Sequence, residues 1–185
     1  MKTAINRSQN SSVAVIGEDV DLAVLLVAIT PTDRDILLVK SGRGSVKTIV
    51  YSSQQLQQEL KMKDNVHLLF LHAFTGCDST SAAYRKSKVG FVKMYQKSKI
   101  IQRAAEVFAS GSFSPDSIET AGIMSTLSWY GAPATEKSLN KFRYKSFIKV
   151  AANMKPDLST LPPTEGAIKQ HAFRPSNTPV VKGET

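Results

Sequence analysis

Apolar residues along this chain fall into two patterns. Short unbroken blocks dominate the beginning: Val13-Ala14-Val15-Ile16, which ends at Gly17, and Ile36-Leu37-Leu38-Val39, which precedes the turn Ser41-Gly42-Arg43-Gly44-Ser45. Blocks of this length bounded by turn residues predict buried strands. Between them Leu22, Leu25, Leu26 and Ile29 recur at helical spacing and Pro31 closes the run, which predicts a helix from Asp19 to Thr30. Val46 to Tyr51 predicts a third strand. Strand, helix and strand at this spacing open an α/β unit.

Helical spacing governs the remainder. Ser52 or Ser53 caps a segment reaching Leu60, and Asp64 or Asn65 caps Val66 to Phe74, which Gly76 stops. A further helix is expected from Asp78 or Ser79, then Ile100 to Ala109, then Asp116 to Trp129 with Pro115 at its start. Lys137 to Met154 predicts a basic helix with Leu139, Phe142, Phe147 and Ile148 as its packing face, and Leu161-Pro162-Pro163-Thr164 starts a last short helix reaching about Phe173. The expected fold class is α/β: a small, incomplete parallel or mixed sheet over residues 12–51, then a mainly helical C-terminal part. Residues 1–11 are expected to be disordered and 174–185 to be a flexible tail. So small a sheet leaves an open edge, which a partner chain or strands upstream would complete.

Composition narrows the class. With 185 residues, 42% apolar and 21% charged, the chain is neither wholly disordered nor collagen-like. A lone cysteine, Cys77, cannot form an internal disulfide. The longest apolar run, Leu22 to Ile29, is far short of the roughly 20 residues of a membrane helix. No transmembrane segment is predicted, and the expected setting is intracellular, the nucleus ahead of the cytoplasm.

Charge changes the picture more. Residues 1–80 hold eight basic and eight acidic side chains, whereas residues 81–185 hold sixteen and seven. The whole excess of +9 therefore lies in the second part. Arg85, Lys86, Lys88, Lys93, Lys97, Lys99 and Arg103 span one stretch without an acid, and Lys137, Lys141, Arg143, Lys145, Lys149 and Lys155 span another. Such stretches suit a polyanion, because each neutralised phosphate releases counterions. Nucleic acid is the expected partner. Phe142, Phe147 and Ile148 would offer an apolar face to an anionic membrane surface, the less favoured alternative.

Two acidic features stand out. Gly17-Glu18-Asp19-Val20-Asp21 follows the first strand, and the carboxyl end of a strand is where α/β sheets bind ligands. Asp19 and Asp21 can share a divalent cation there, Mg²⁺ or Mn²⁺, or serve as helix cap and first-turn acid. In the block His72-Ala73-Phe74-Thr75-Gly76-Cys77-Asp78, Gly76 stops one helix and Asp78 can cap the next.

The pair VIGEDVDLAVLL and LFLHAFTGCDSTSA resembles the two blocks that close the active site in the flap-endonuclease-like branch of the PIN-domain superfamily. More narrowly, HAFTGCDSTSA, SLNKFRYKSF and LPPTEGAIKQHAFR resemble an uncharacterised, multicopy group of animal proteins that look like mobile-element products. This resemblance implies a partial PIN-like domain over 12–173 with a basic helical extension. It implies metal positions at Asp19, Asp21 and Asp78 with Glu18 beside them, the three aspartates being the catalytic set. The first basic stretch supplies the expected nucleic-acid contacts, from Arg85, Lys86, Lys88, Lys93, Lys97 and Lys99. The narrow group has a Gly-Lys-Gly-Lys run where this chain has Arg85-Lys86-Ser87-Lys88. The superfamily's first-half acids have no counterpart. Two readings follow: a truncated module that binds nucleic acid, with a partial metal site and little or no cleavage by itself, or an active divalent-metal-dependent nuclease.

Overall fold

In the computed structural model, residues 1–77, 82–110, 114–152 and 155–176 are described. The described residues divide into two compact units, residues 1–69 and 70–176.

The N-terminal unit starts with helix α1 (Lys2–Arg7), followed by strand β1 (Val13–Ile16), helix α2 (Val20–Ile29), strands β2 (Ile36–Lys40) and β3 (Ile49–Ser52), and helix α3 (Ser53–Leu60). The sheet is mixed, as the sequence allows: β1 and β2 are parallel, β2 and β3 antiparallel, in the order β1-β2-β3. Register places Val13 against Ile36 and Val15 against Leu38. These four side chains face Leu26 of α2 in one cluster, which also takes in Leu22 and Ala23. The opposite sheet face, with Ala14, Ile16, Leu37, Val39 and Val50, is more open: Ile16 is 75% exposed and Val50 54%. Edges remain too, because among the described residues no further strand pairs with β1 or β3.

Two expectations need correction here. The N-terminus, expected to be disordered, forms α1, because Met1, Ala4 and Ile5 pack on the Leu26–Ile36–Leu38 cluster and Arg34 donates to the Ile5 carbonyl. The third strand starts at Ile49 rather than Val46. Residues 41–48 form a wider loop, closed where the Thr48 hydroxyl accepts the Gly42 N–H.

Polar groups tie this unit together locally. Ser52 caps α3 by accepting the Gln55 N–H. Asp35 accepts from the Ser52 and Ser53 hydroxyls and from the Gln54 N–H. Gln57, buried, donates its amide to the Val27 and Thr30 carbonyls, which the C-terminus of α2 would otherwise leave unmatched.

Helix α4 (His67–Phe74) contains the division between the units. The C-terminal unit continues with α5 (Lys88–Lys97), α6 (Lys99–Ala109), α7 (Pro115–Trp129), α8 (Leu139–Ala151), a 3-10 turn at Leu158–Thr160, and α9 (Glu165–Ser176). The expected helix from Asp78 or Ser79 is absent over the described residues 82–87; α5 begins only after Ser87, whose hydroxyl accepts the Gly90 N–H. Asp78 to Ser81 and most of the expected tail, residues 177–185, lie outside the described residues.

Aromatic packing makes the core of this unit. The Phe70 and Phe108 rings stack at 4.5 Å, Phe74 and Phe91 at 5.5 Å, and Phe91 meets Trp129 at 4.7 Å. Ile101, Ala104, Ala105 and Phe108 are the buried residues of α6, an i, i+3, i+4, i+7 stripe. Helices α7 and α9 approach closely because Gly122 has no side chain: a Cβ there would lie 2.8 Å from that of Ala172.

Candidate nucleic-acid interface

The carboxylates at the end of β1 are engaged in local structure. Asp19 is the N-cap of α2, and its Oδ1 accepts the Asp21 N–H at 3.0 Å. Glu18 pairs with Arg43 at 3.2 Å across the surface. Asp21 is half-buried in the first turn, where a negative charge suits the helix dipole. Asp78, the expected third carboxylate, lies outside the described residues. Among the described residues no three His, Cys, Asp or Glu side chains gather closely enough to hold a metal ion.

Gly76, in the block that contains Asp78, has a steric role. Its φ is +107°, and a Cβ would lie 2.7 Å from the Ala82 backbone, so only glycine fits.

The six expected phosphate-binding cations are not equivalent. Arg85 has a left-handed φ of +54° and pairs with Asp157 at 3.5 Å. Lys86 is drawn inward: its Nζ donates to the Trp129 carbonyl at 3.1 Å and lies 4.4 Å from the Tyr130 ring centroid. Lys88 reaches His72 Nδ1 at 3.4 Å. Lys93 and Lys97, one helical turn apart on α5, and Lys99 and Arg103, one turn apart on α6, are exposed. No ion pair involves these last four among the described residues.

The second basic stretch behaves differently from expectation. Leu139 of α8 is buried and Phe142 half-buried, packing with Leu127 and Ile168, but Phe147 is 40% exposed and Ile148 51%. The helical period explains the correction, since at about 100° per residue Ile148 lies half a turn from Leu139. Anchoring is confined to the first turns. Glu165 Oε1 accepts the Ser138 hydroxyl and the Asn140 N–H, the Asn140 side chain accepts the Glu165 N–H, and Arg143 donates to the Pro162 carbonyl. SLNKFRYKSF and LPPTEGAIKQHAFR thus interlock through the caps of α8 and α9.

The C-terminal unit also holds a cleft of about 380 Å³, lined from the end of α7, from α9 and from residues 82–84. Phe74, Trp129, Tyr130, Tyr84 and His171 bring rings to its lining. The His171 Nε2 lies 2.8 Å from the Phe74 carbonyl. A carbonyl only accepts, so Nε2 is the donor in this contact. Burial pushes the Tyr130 phenol above its ordinary pKa although Arg143 pulls the other way, so the hydroxyl stays protonated. Sequence reading did not find this cleft, because its rings are scattered between residues 74 and 171. The available signal was that HAFTGC and LPPTEGAIKQHAFR both carry aromatic residues beside conformationally restricted ones.

No described helix is long and apolar enough to cross a membrane. Comparison with known protein families, curated proteins and solved structures finds no match for the chain.

Proposed function

We propose that this chain is a nucleic-acid-binding module, related in ancestry to the flap-endonuclease-like PIN nucleases, with little or no cleavage activity by itself. The observation that carries the reading is the exposed set Lys93, Lys97, Lys99 and Arg103, with no ion pair to any of them among the described residues. Exposed cations that no carboxylate neutralises are available to phosphates. The engagement of Asp19 and Glu18 in a cap and an ion pair is consistent with weak or absent cleavage. Lys86 and Arg85 already have partners within the fold, so in this reading most of the salt dependence falls to Lys93, Lys97 and Lys99.

The test is binding of a labelled oligonucleotide followed by anisotropy across a salt series. Replacing Lys93, Lys97 and Lys99 with Ala should weaken binding and flatten the slope of log affinity against log salt by roughly 2 units or more. An unchanged slope would remove this surface from the account. The alternative, an active nuclease, draws on the position of Asp19 and Asp21 at the carboxyl end of β1. Robust turnover in Mg²⁺ or Mn²⁺ that Asp78→Ala abolishes would establish it.

A further inference from the structure

We propose that the cleft of the C-terminal unit is a nucleobase site, receiving one unstacked base of a single-stranded nucleic acid with the adjoining phosphate on its Lys86 side. This inference rests on the nucleic-acid reading and says which substrate form it favours. Three observations converge on it.

The walls are the first. Single-stranded recognition works by laying bases against aromatic rings, which is tolerant of sequence because every base has a π-face. Trp129, Tyr130 and Tyr84 line the cleft, and Tyr84 is 48% exposed at the rim, with the Arg85 guanidinium over its ring at 5.2 Å. A volume of about 380 Å³ lies in the lower part of the small-ligand range of roughly 300–1,000 Å³. It suits one nucleoside, and a base pair within a duplex cannot enter it.

Polar chemistry inside is the second. A base offers hydrogen-bond donors and acceptors along its edge. The cleft offers a donor in the protonated Tyr130 hydroxyl, and the polar side chains of Ser159, Gln170 and His171. These are the few polar groups on an otherwise apolar lining that fix a ligand's orientation.

Charge is the third. Lys86 is held beside the cleft by the Trp129 carbonyl and the Tyr130 ring, so little side-chain freedom is lost when it meets an anion. An ammonium has three donors, and the Trp129 carbonyl takes one of them. Arg143 and Arg85 stand nearby against one carboxylate, Asp157. A ring-lined cleft with a cationic margin matches the two ends of a nucleotide, whereas an acyl chain or an apolar side chain would leave the margin unmatched.

Trp129 is the chain's sole tryptophan, so emission excited selectively at tryptophan reports this cleft. Three probes are titrated into the full chain: a single-stranded oligonucleotide, the blunt duplex of the same sequence, and adenosine monophosphate. Anisotropy follows the labelled strands in parallel. Saturable quenching by the single strand, no change with the duplex, and quenching by the mononucleotide only at much higher concentration support the proposal. Tyr84→Ala should weaken single-strand binding about 10-fold and leave duplex binding unchanged, with Tyr84→Phe restoring it. Should anisotropy saturate while Trp129 emission stays constant, nucleic-acid binding stands and the base site is overturned. Quenching by the mononucleotide without any strand binding overturns the strand as ligand, together with the proposed function, and identifies a free-nucleotide site.

Discussion

The two units of this chain are held together by different interactions. In the N-terminal unit polar side chains are spent on the chain's own backbone and neighbours. Asp19 caps α2, Ser52 and Asp35 hold the start of α3, Gln57 matches two carbonyls, and Glu18 meets Arg43. In the C-terminal unit the aromatic core and the α8–α9 caps hold the helices, and cations are left over at the surface. An acid at the end of a strand is therefore ambiguous evidence of function when the next residue opens a helix, since the helix needs a cap whatever the chemistry. An exposed lysine without a carboxylate partner contributes little to the fold, and its recurrence is better evidence of a ligand.

The comparison is sharpened most by attacking the aromatic core. Phe91 is fully buried between Phe74 and Trp129. Phe91→Ala removes that ring, and the loss should be about 3–5 kcal/mol. Hydrogen exchange in α6 and α7 should accelerate accordingly. If exchange there is unchanged, the aromatic cluster does not set this unit's stability.

The matching attack on the N-terminal unit is Gln57→Ala. Two carbonyls at the end of α2 then lose their donor in a buried place. The expected cost is about 1–3 kcal/mol, read from urea unfolding followed by exchange in α2 and β2. A neutral result would mean that water replaces the amide, and that the side chain serves the fold less than its burial suggests.

How much of this was legible depended on whether the signal was local. The β1–α2–β2 unit could be read because Val13–Ile16, the Leu22–Ile29 spacing and Ile36–Val39 each fix an element within a few residues. The α3 and α7 starts were readable from Ser52 and Pro115, whose capping chemistry acts within one turn. The start of α5 was not, because Asp78 and Ser79 present the same cap signal as Ser87, and the intervening Arg85 adopts a left-handed conformation that its residue type does not advertise. Phe147 and Ile148 were assigned to a core on hydrophobicity alone, against their angular position on α8. At the candidate site, the cationic stretch could be read from sequence, but which cations are free could not. Lys86 and Lys93 look alike until the fold brings the Trp129 carbonyl and the Tyr130 ring to one of them.

Asp19 tests whether the acids of the N-terminal unit are structural. Asn caps a helix about as well as Asp, so Asp19→Asn should leave stability within a few tenths of a kcal/mol, whereas Asp19→Ala should cost about 1 kcal/mol. A metal ligand would behave otherwise. Wild type would then gain stability on Mg²⁺ addition, and both variants would lose that gain. The cap account predicts that the difference between the two variants persists whether Mg²⁺ or a chelator is present.

The smallest effect belongs to Asp35, and its sign with pH is diagnostic. Burial opposes the charge, but the Gln54 N–H, the Ser52 and Ser53 hydroxyls and the Ser53 N–H outweigh it and hold the carboxyl below its ordinary value. The folded chain therefore binds this proton less readily than the unfolded chain. Its contribution is fully present above the ordinary carboxylate pKa of about 3.9 and is lost as pH falls through the lower folded value. Because the group is largely exposed to solvent and screened, Asp35→Asn should cost at most about 1 kcal/mol at neutral pH. That cost should shrink between pH 4 and pH 3, as the wild type takes up the proton that the variant cannot, so the urea midpoints of the two proteins should converge on acidification. Parallel curves down to pH 3 would mean that the neutral amide serves the start of α3 as well as the carboxylate does, and the contrast between the units would then rest on hydrogen bonding alone, without charge.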